Sequence, residues 1–155
     1  MTVSFNRENG VLDVYGPAIP RVRITRDWQA RRDKGVPIGT RVAKELTIHV
    51  DEDIATLLPS LAGLTRRSHA VDVQCRDAAY QLLPKSCLRS RLTRNGQRIG
   101  RFRTQLNGRA KAQWVPEADV HPLDVSIGYA LAVAFGTGRS PVWLEAIGET
   151  LNAAS

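Results

Sequence analysis

Cysteine is scarce in this chain: Cys75 and Cys87 are its two residues of that type. Two are too few for a disulfide scaffold, and standing twelve apart without paired ligands they lack the spacing of a metal site. Long apolar runs are missing as well. The longest, residues 125–135, is interrupted by Ser126 and Gly128, far short of the ~20 residues a membrane-spanning helix needs. The first ten residues, MTVSFNRENG, do not carry the basic start and apolar stretch of a signal peptide. A cytoplasmic protein with no membrane segment is expected. The 155 residues, 43% of them hydrophobic, suffice for one globular domain, 1–155, with its own core.

Lysine is rare too, at positions 34, 44, 85 and 111, so 18 of the 22 bases are arginine. Arginine suits bidentate contacts with phosphate and stacking on flat rings, although a GC-rich coding sequence would enrich it equally. The net charge of +7 is unevenly spread. Residues 1–20 carry −1, residues 21–46 +5, residues 47–64 −3, residues 65–111 +10 and residues 112–155 −4. Between Lys85 and Lys111 there are nine bases and no acid. Codon bias does not account for that clustering.

Short strands are predicted over Val11–Tyr15, Arg21–Ile24, Arg41–Val50, Val71–Cys75 and Tyr80–Leu83, from alternation and β-branched residues. Asp51-Glu52-Asp53 followed by Ile54, Leu57, Leu58 and Leu61 at helical spacing predicts an inserted helix that stops near Gly63. Pro122 and the stripe Leu123, Ile127, Leu131 and Phe135 predict a helix buried on most sides. Ser140-Pro141, then Trp143, Leu144, Ile147 and Leu151, predict a second helix antiparallel to it. The expected class is α+β: a mainly antiparallel, twisted sheet of six to eight strands, with a three-stranded C-proximal meander, one inserted helix and a C-terminal helical hairpin.

The meander follows from two Asn-Gly pairs, Asn95-Gly96 and Asn107-Gly108, each the signature of a two-residue type I′ turn. Strands Leu88–Arg94, Gln97–Leu106 and Arg109–Val115 then pair in a register set by those turns. Strict alternation puts Leu88, Leu92, Ile99, Ala110, Ala112 and Trp114 on one face, with Arg94, Arg101 and Arg103 at its margin. The opposite face collects Arg89, Arg91, Arg98, Arg109 and Lys111, with Phe102 among them.

Other chemistry is thinly represented. His49, Asp51, Glu52 and Asp53 are simpler as an acidic helix start than as a cation site, so no metal is expected. No cofactor motif is present, and the glycine-rich 136–140 stretch reads as a helix–helix turn lacking the P-loop lysine. No acid, base or nucleophile stands out, so an enzyme acting on an anionic substrate ranks last. The leading expectation is a non-enzymatic nucleic-acid-binding protein. Phosphates would meet Arg89, Arg91, Arg98, Arg109, Lys111, Arg31 and Arg32, and bases would stack on Phe102 and Trp28. The alternative is an assembly subunit whose basic face meets an acidic protein, or the acidic C-terminal region of another copy.

Overall fold

A computed structural model describes residues 1–60, 69–86, 88–105 and 109–136. Ten strands follow one another in sequence: β1 (Thr2–Asn6), β2 (Val11–Gly16), β3 (Ile19–Arg26), β4 (Leu46–Val50), β5 (Asp53–Pro59), β6 (Val71–Cys75), β7 (Ala78–Pro84), β8 (Arg89–Arg94), β9 (Gln97–Thr104) and β10 (Ala110–Trp114). Each pairs antiparallel with the next, so spatial order equals chain order. The sheet curls into a half-barrel around α1 (Pro122–Phe135), the one α-helix among the described residues. The first half of β5 pairs with β4 and its second half with β6, which joins the two halves of the sheet.

Curling gives every strand an inner and an outer face, and the inner faces meet on α1. Leu12, Val14, Val22, Ile24, Ile48, Val73, Leu82 and Leu92 are buried there with Ile127, Leu131 and Phe135 of the helix. Burial on nearly all sides explains why α1 carries no polar stripe: ten of its residues, from Asp124 to Phe135, are buried. Its start is fixed by charge. Asp124, fully buried, accepts hydrogen bonds from the Tyr80 hydroxyl (2.5 Å), from the backbone N–H of His121 (2.8 Å) and from the Arg94 guanidinium. Burial, reinforced by that carboxylate, pushes the Tyr80 hydroxyl pKa well up. No helix is long and apolar enough to cross a membrane among the described residues.

The expected α+β arrangement is overturned in three respects. Residues expected as an inserted helix form β5, after a two-residue turn in which Asp51 takes φ 51°. Ala55, Leu57 and Pro59 point inward while Ile54 and Leu58 stay 74% and 53% exposed, so the apparent helical stripe mixes the two faces of a strand. The predicted meander is the end of a continuous sheet of ten strands, where six to eight were expected. Among the described residues one α-helix, not a hairpin of two, packs on the sheet; the second was expected over residues 140–151, which lie outside them.

A cluster of aromatic rings closes the core beneath β9. Phe102 meets Trp114 and Tyr129 edge-on, at centroid distances of 5.6 and 5.1 Å. The ring reaches α1 because residue 128 is glycine: a Cβ there would come within 2.5 Å of Phe102 and 2.9 Å of Leu92. In an exposed helix Gly→Ala stabilises by up to ~1 kcal/mol. Here overpacking wins, and Gly128→Ala is expected to cost about 1–3 kcal/mol, lowering Tm by roughly 3–10 °C in thermal denaturation. An unchanged or higher Tm would show that the Phe102 ring gives way freely.

Candidate nucleic-acid interface

The Asn95-Gly96 turn forms with φ 51° and 82°, the conformation its dipeptide predicts, and sets Arg94 opposite Gln97. Regular pairing ends two residues later. Thr93 lies opposite Arg98 but Leu92 opposite Gly100, so Ile99 is an extra residue and β9 bulges there. Ile99 and Gly100 both face inward. Gly100 fits because the Trp114 ring occupies the space a side chain would need, 2.8 Å from an added Cβ. Beyond the bulge β9 has the opposite phase from the expected one. The other connection is also one residue out: Gln105 donates to Arg109 (2.7 Å), leaving three residues, 106–108, between them. The Asn107-Gly108 pair itself lies outside the described residues.

These two displacements cancel for β8 and β10 but turn over the end of β9. Phe102 lies opposite Ser90 and Ala112, buried with 1% exposure, so it cannot stack a base as expected. Arg101 and Arg103, expected at the core margin, are exposed on the outer face instead. That face carries cross-strand rows. Arg89, Arg103 and Lys111 form one, and Leu83, Arg91, Arg101 and Gln113 the next. A third runs Asp72, Gln81, Thr93, Arg98. Asp72 is the one carboxylate in these rows, three strands from Arg98 and hydrogen-bonded by Gln81 (3.1 Å). Arg101 donates to Gln113 (2.8 Å). Among the described residues no carboxylate pairs with Arg89, Arg91, Arg98, Arg103 or Lys111. Arg89, Arg101, Arg103, Lys111 and Gln113 rim a depression of about 380 Å³. Arg109 is exposed just before β10.

Bases of the 21–34 region divide into three uses. Arg21 and Arg23, side by side on the outer face of β3, both hydrogen-bond Asp13 on β2 at 3.0–3.1 Å. Arg26 turns back to the carbonyls of Ile38 (2.7 Å) and Glu8 (2.7 Å). Arg31, Arg32 and Lys34 are exposed on the β3–β4 connection, where Trp28 is 84% exposed. Further along the same connection Arg41, 7% exposed, donates to the carbonyls of Ser60 (2.8 Å) and His69 (2.6 Å) and lies over the Phe135 ring. Burial pushes its pKa down, yet no neutral arginine follows, because carbonyls solvate the guanidinium.

No group of three or more His, Cys, Asp or Glu side chains is arranged for a metal ion among the described residues. His49 and the Asp51–Asp53 acids sit at the β4–β5 turn, not a helix start; Asp51 accepts from the Arg21 N–H (2.9 Å) and from Arg76 (2.9 Å). Those bonds hold the Asp51 carboxyl below its usual range. Cys75 is buried and its thiol is pushed up by burial, the opposite of an activated nucleophile.

Asp13 gives the electrostatics a test. Burial raises its pKa, but hydrogen bonds and charge from Arg21 and Arg23 more than offset this, leaving it below the ordinary 3.8. A depressed carboxylate contributes stability above its unfolded pKa and loses it as pH falls through the folded value. Asp13→Asn is therefore expected to cost about 1–2 kcal/mol at pH 7. The gap to the wild type should narrow below about pH 4 in thermal melts from pH 7 to 2.5; a gap independent of pH would contradict the ion pairs.

Comparison of the chain with protein-family models, with curated proteins and with solved structures gives no match.

Proposed function

We propose that the protein is a non-enzymatic nucleic-acid-binding protein, acting in the cytoplasm, that holds phosphates on the outer face of β8–β10. The observation that carries the reading is the pair of rows Arg89–Arg103–Lys111 and Arg91–Arg101, five cations on three adjacent strands without a carboxylate in either row. Like charges placed directly opposite one another repel and weaken a sheet. A polyanion laid across them converts that repulsion into attraction and releases its condensed counterions. Arginine's fork suits phosphate oxygens, and Arg98 extends the face toward the β8–β9 turn. With Phe102 in the core, this face meets the backbone and not the bases.

Neutralising about five phosphates of a duplex predicts a slope near −4.5 for log K against log salt, or ~500-fold weaker binding at 200 than at 50 mM. Fluorescence anisotropy of labelled DNA and RNA oligomers measures it directly. In the variant Arg89→Ala/Arg103→Ala/Lys111→Ala the duplex slope is expected to shallow by about 2.7. Its fold should survive, since opposed like charges are removed. Unchanged binding by the folded variant, or no binding by the wild type at 50 mM, would sink the proposal. The second result would leave assembly with an acidic partner as the working explanation of the face.

A further inference from the structure

We infer that the ligand of this face is a single strand, and that its contact continues around one end of the half-barrel onto the β3–β4 connection, with Trp28 stacking an unpaired base and Arg31, Arg32 and Lys34 meeting phosphates. The inference rests on the nucleic-acid reading and adds to it the strand type and a second contact.

The topology puts the two basic regions at the same end. Because all neighbouring strands are antiparallel, the β1–β2, β3–β4, β7–β8 and β9–β10 connections, with the described ends of the β5–β6 connection, share one end of the sheet, and the β2–β3, β4–β5, β6–β7 and β8–β9 turns share the opposite end. The direction of α1 identifies them. Its C-terminal turn receives a hydrogen bond at the Ala134 carbonyl from Ile38 of the β3–β4 connection (2.8 Å). Its N-terminal turn bonds Pro20 at the start of β3 (2.7 Å, from the Ser126 hydroxyl) and Tyr80 in the first half of β7.

Charge divides along the same axis. Described residues of the five connections at the C-terminal end of α1 hold eight bases (Arg7, Arg31, Arg32, Lys34, Arg41, Lys44, Lys85, Arg109) against four acids. At the opposite end, the turns and residues 115–121 hold Arg76 against five acids: Asp51, Glu52, Asp77, Glu117 and Asp119. Within the outer face the row Arg89–Arg103–Lys111 lies nearest the basic end. A polyanion seated on the sheet is therefore drawn toward that end and repelled from the other.

An indole in solvent at that end is the second observation. Trp28 is 84% exposed, an unusual state for the largest side chain, and it precedes the exposed Arg31 and Arg32 by three and four residues. The connection that carries it is fastened at Arg26, Ile38 and Arg41, so the ring is presented on a supported segment. Unpaired bases can stack on such a ring, whereas bases inside a duplex cannot.

Anisotropy with a labelled 20-nucleotide dT strand and a 20-base-pair duplex, each at 50 and 200 mM salt, tests this. Trp28→Ala is expected to weaken dT binding about tenfold and leave duplex binding unchanged. Arg31→Ala/Arg32→Ala should shallow the single-strand salt slope by about 1.4, and Arg76→Ala, at the acidic end, should leave it alone. If the Trp28 and Arg31/Arg32 variants bind dT like the wild type while Arg89→Ala/Arg103→Ala/Lys111→Ala does not, the second contact is wrong and the sheet-face reading stands. Equal loss of duplex and single-strand affinity in Trp28→Ala would overturn the stacking role. No binding of either probe by the wild type would remove both readings together.

Discussion

The Phe102 ring, seated against Gly128 of the helix and between Trp114 and Tyr129, decides what the outside of the sheet looks like. An inward Phe102 forces Arg101 and Arg103 outward, since neighbours on a strand point to opposite faces. Ile99 is also inward, and two inward residues three apart cannot lie on a regular strand. The bulge at Ile99 supplies the extra residue, and Gly100 makes it sterically free beneath Trp114. Core packing and the cationic rows are thus two sides of one constraint. Losing the aromatic contact would release the phase of β9 as well as part of the core.

Electrostatic design differs between the interior and the surface. Where charge is buried, partners are supplied in full: Asp124 takes three donors, Asp13 two arginines, and Arg41 the carbonyls of Ser60 and His69. Unpaired charge in those places would cost several kcal/mol. On the outer face of β8–β10 the opposite holds, with cation facing cation across the strands. Solvent screening keeps the penalty small, but folding gains nothing from the arrangement. A stability argument therefore does not explain those rows, and it is this that motivates the proposed polyanion ligand.

Elements whose identity rests on local signals were legible in the sequence. Asn95-Gly96 turned as a type I′ pair must, and the dense apolar run 122–135 became a helix enclosed by sheet. Where non-local contacts decide, the sequence misleads. Ile54, Leu57 and Leu58 have helical spacing, but pairing with β4 and β6 makes that segment β5. The turn at Arg76-Asp77, both at positive φ, carries no glycine to announce it. For the candidate site, the charge of β8–β10 could be read directly, while the membership of its face could not. A glycine inside a strand, followed by an arginine–phenylalanine–arginine triplet, was the available signal of a bulge. Strict alternation through Gly100 instead placed Phe102 among the arginines.

Arginines 26 and 41 show how the fold commits charge to holding one segment in place. α1 ends without a basic residue in its last turn, and its carbonyl end is a centre of partial negative charge. The β3–β4 connection crosses that end, bonding Ala134 through Ile38 and laying the Arg41 guanidinium over Phe135. Arg26 bonds the Ile38 carbonyl from below, so helix end, connection and β3 are tied at one point. Two positive charges are thereby committed to holding the segment, and Arg31, Arg32 and Lys34 on the same segment remain at its surface. A connection that served only to join two strands would need neither this anchoring nor an indole left in water. Fastened beneath and cationic above, it has the construction that the proposed single-strand contact requires.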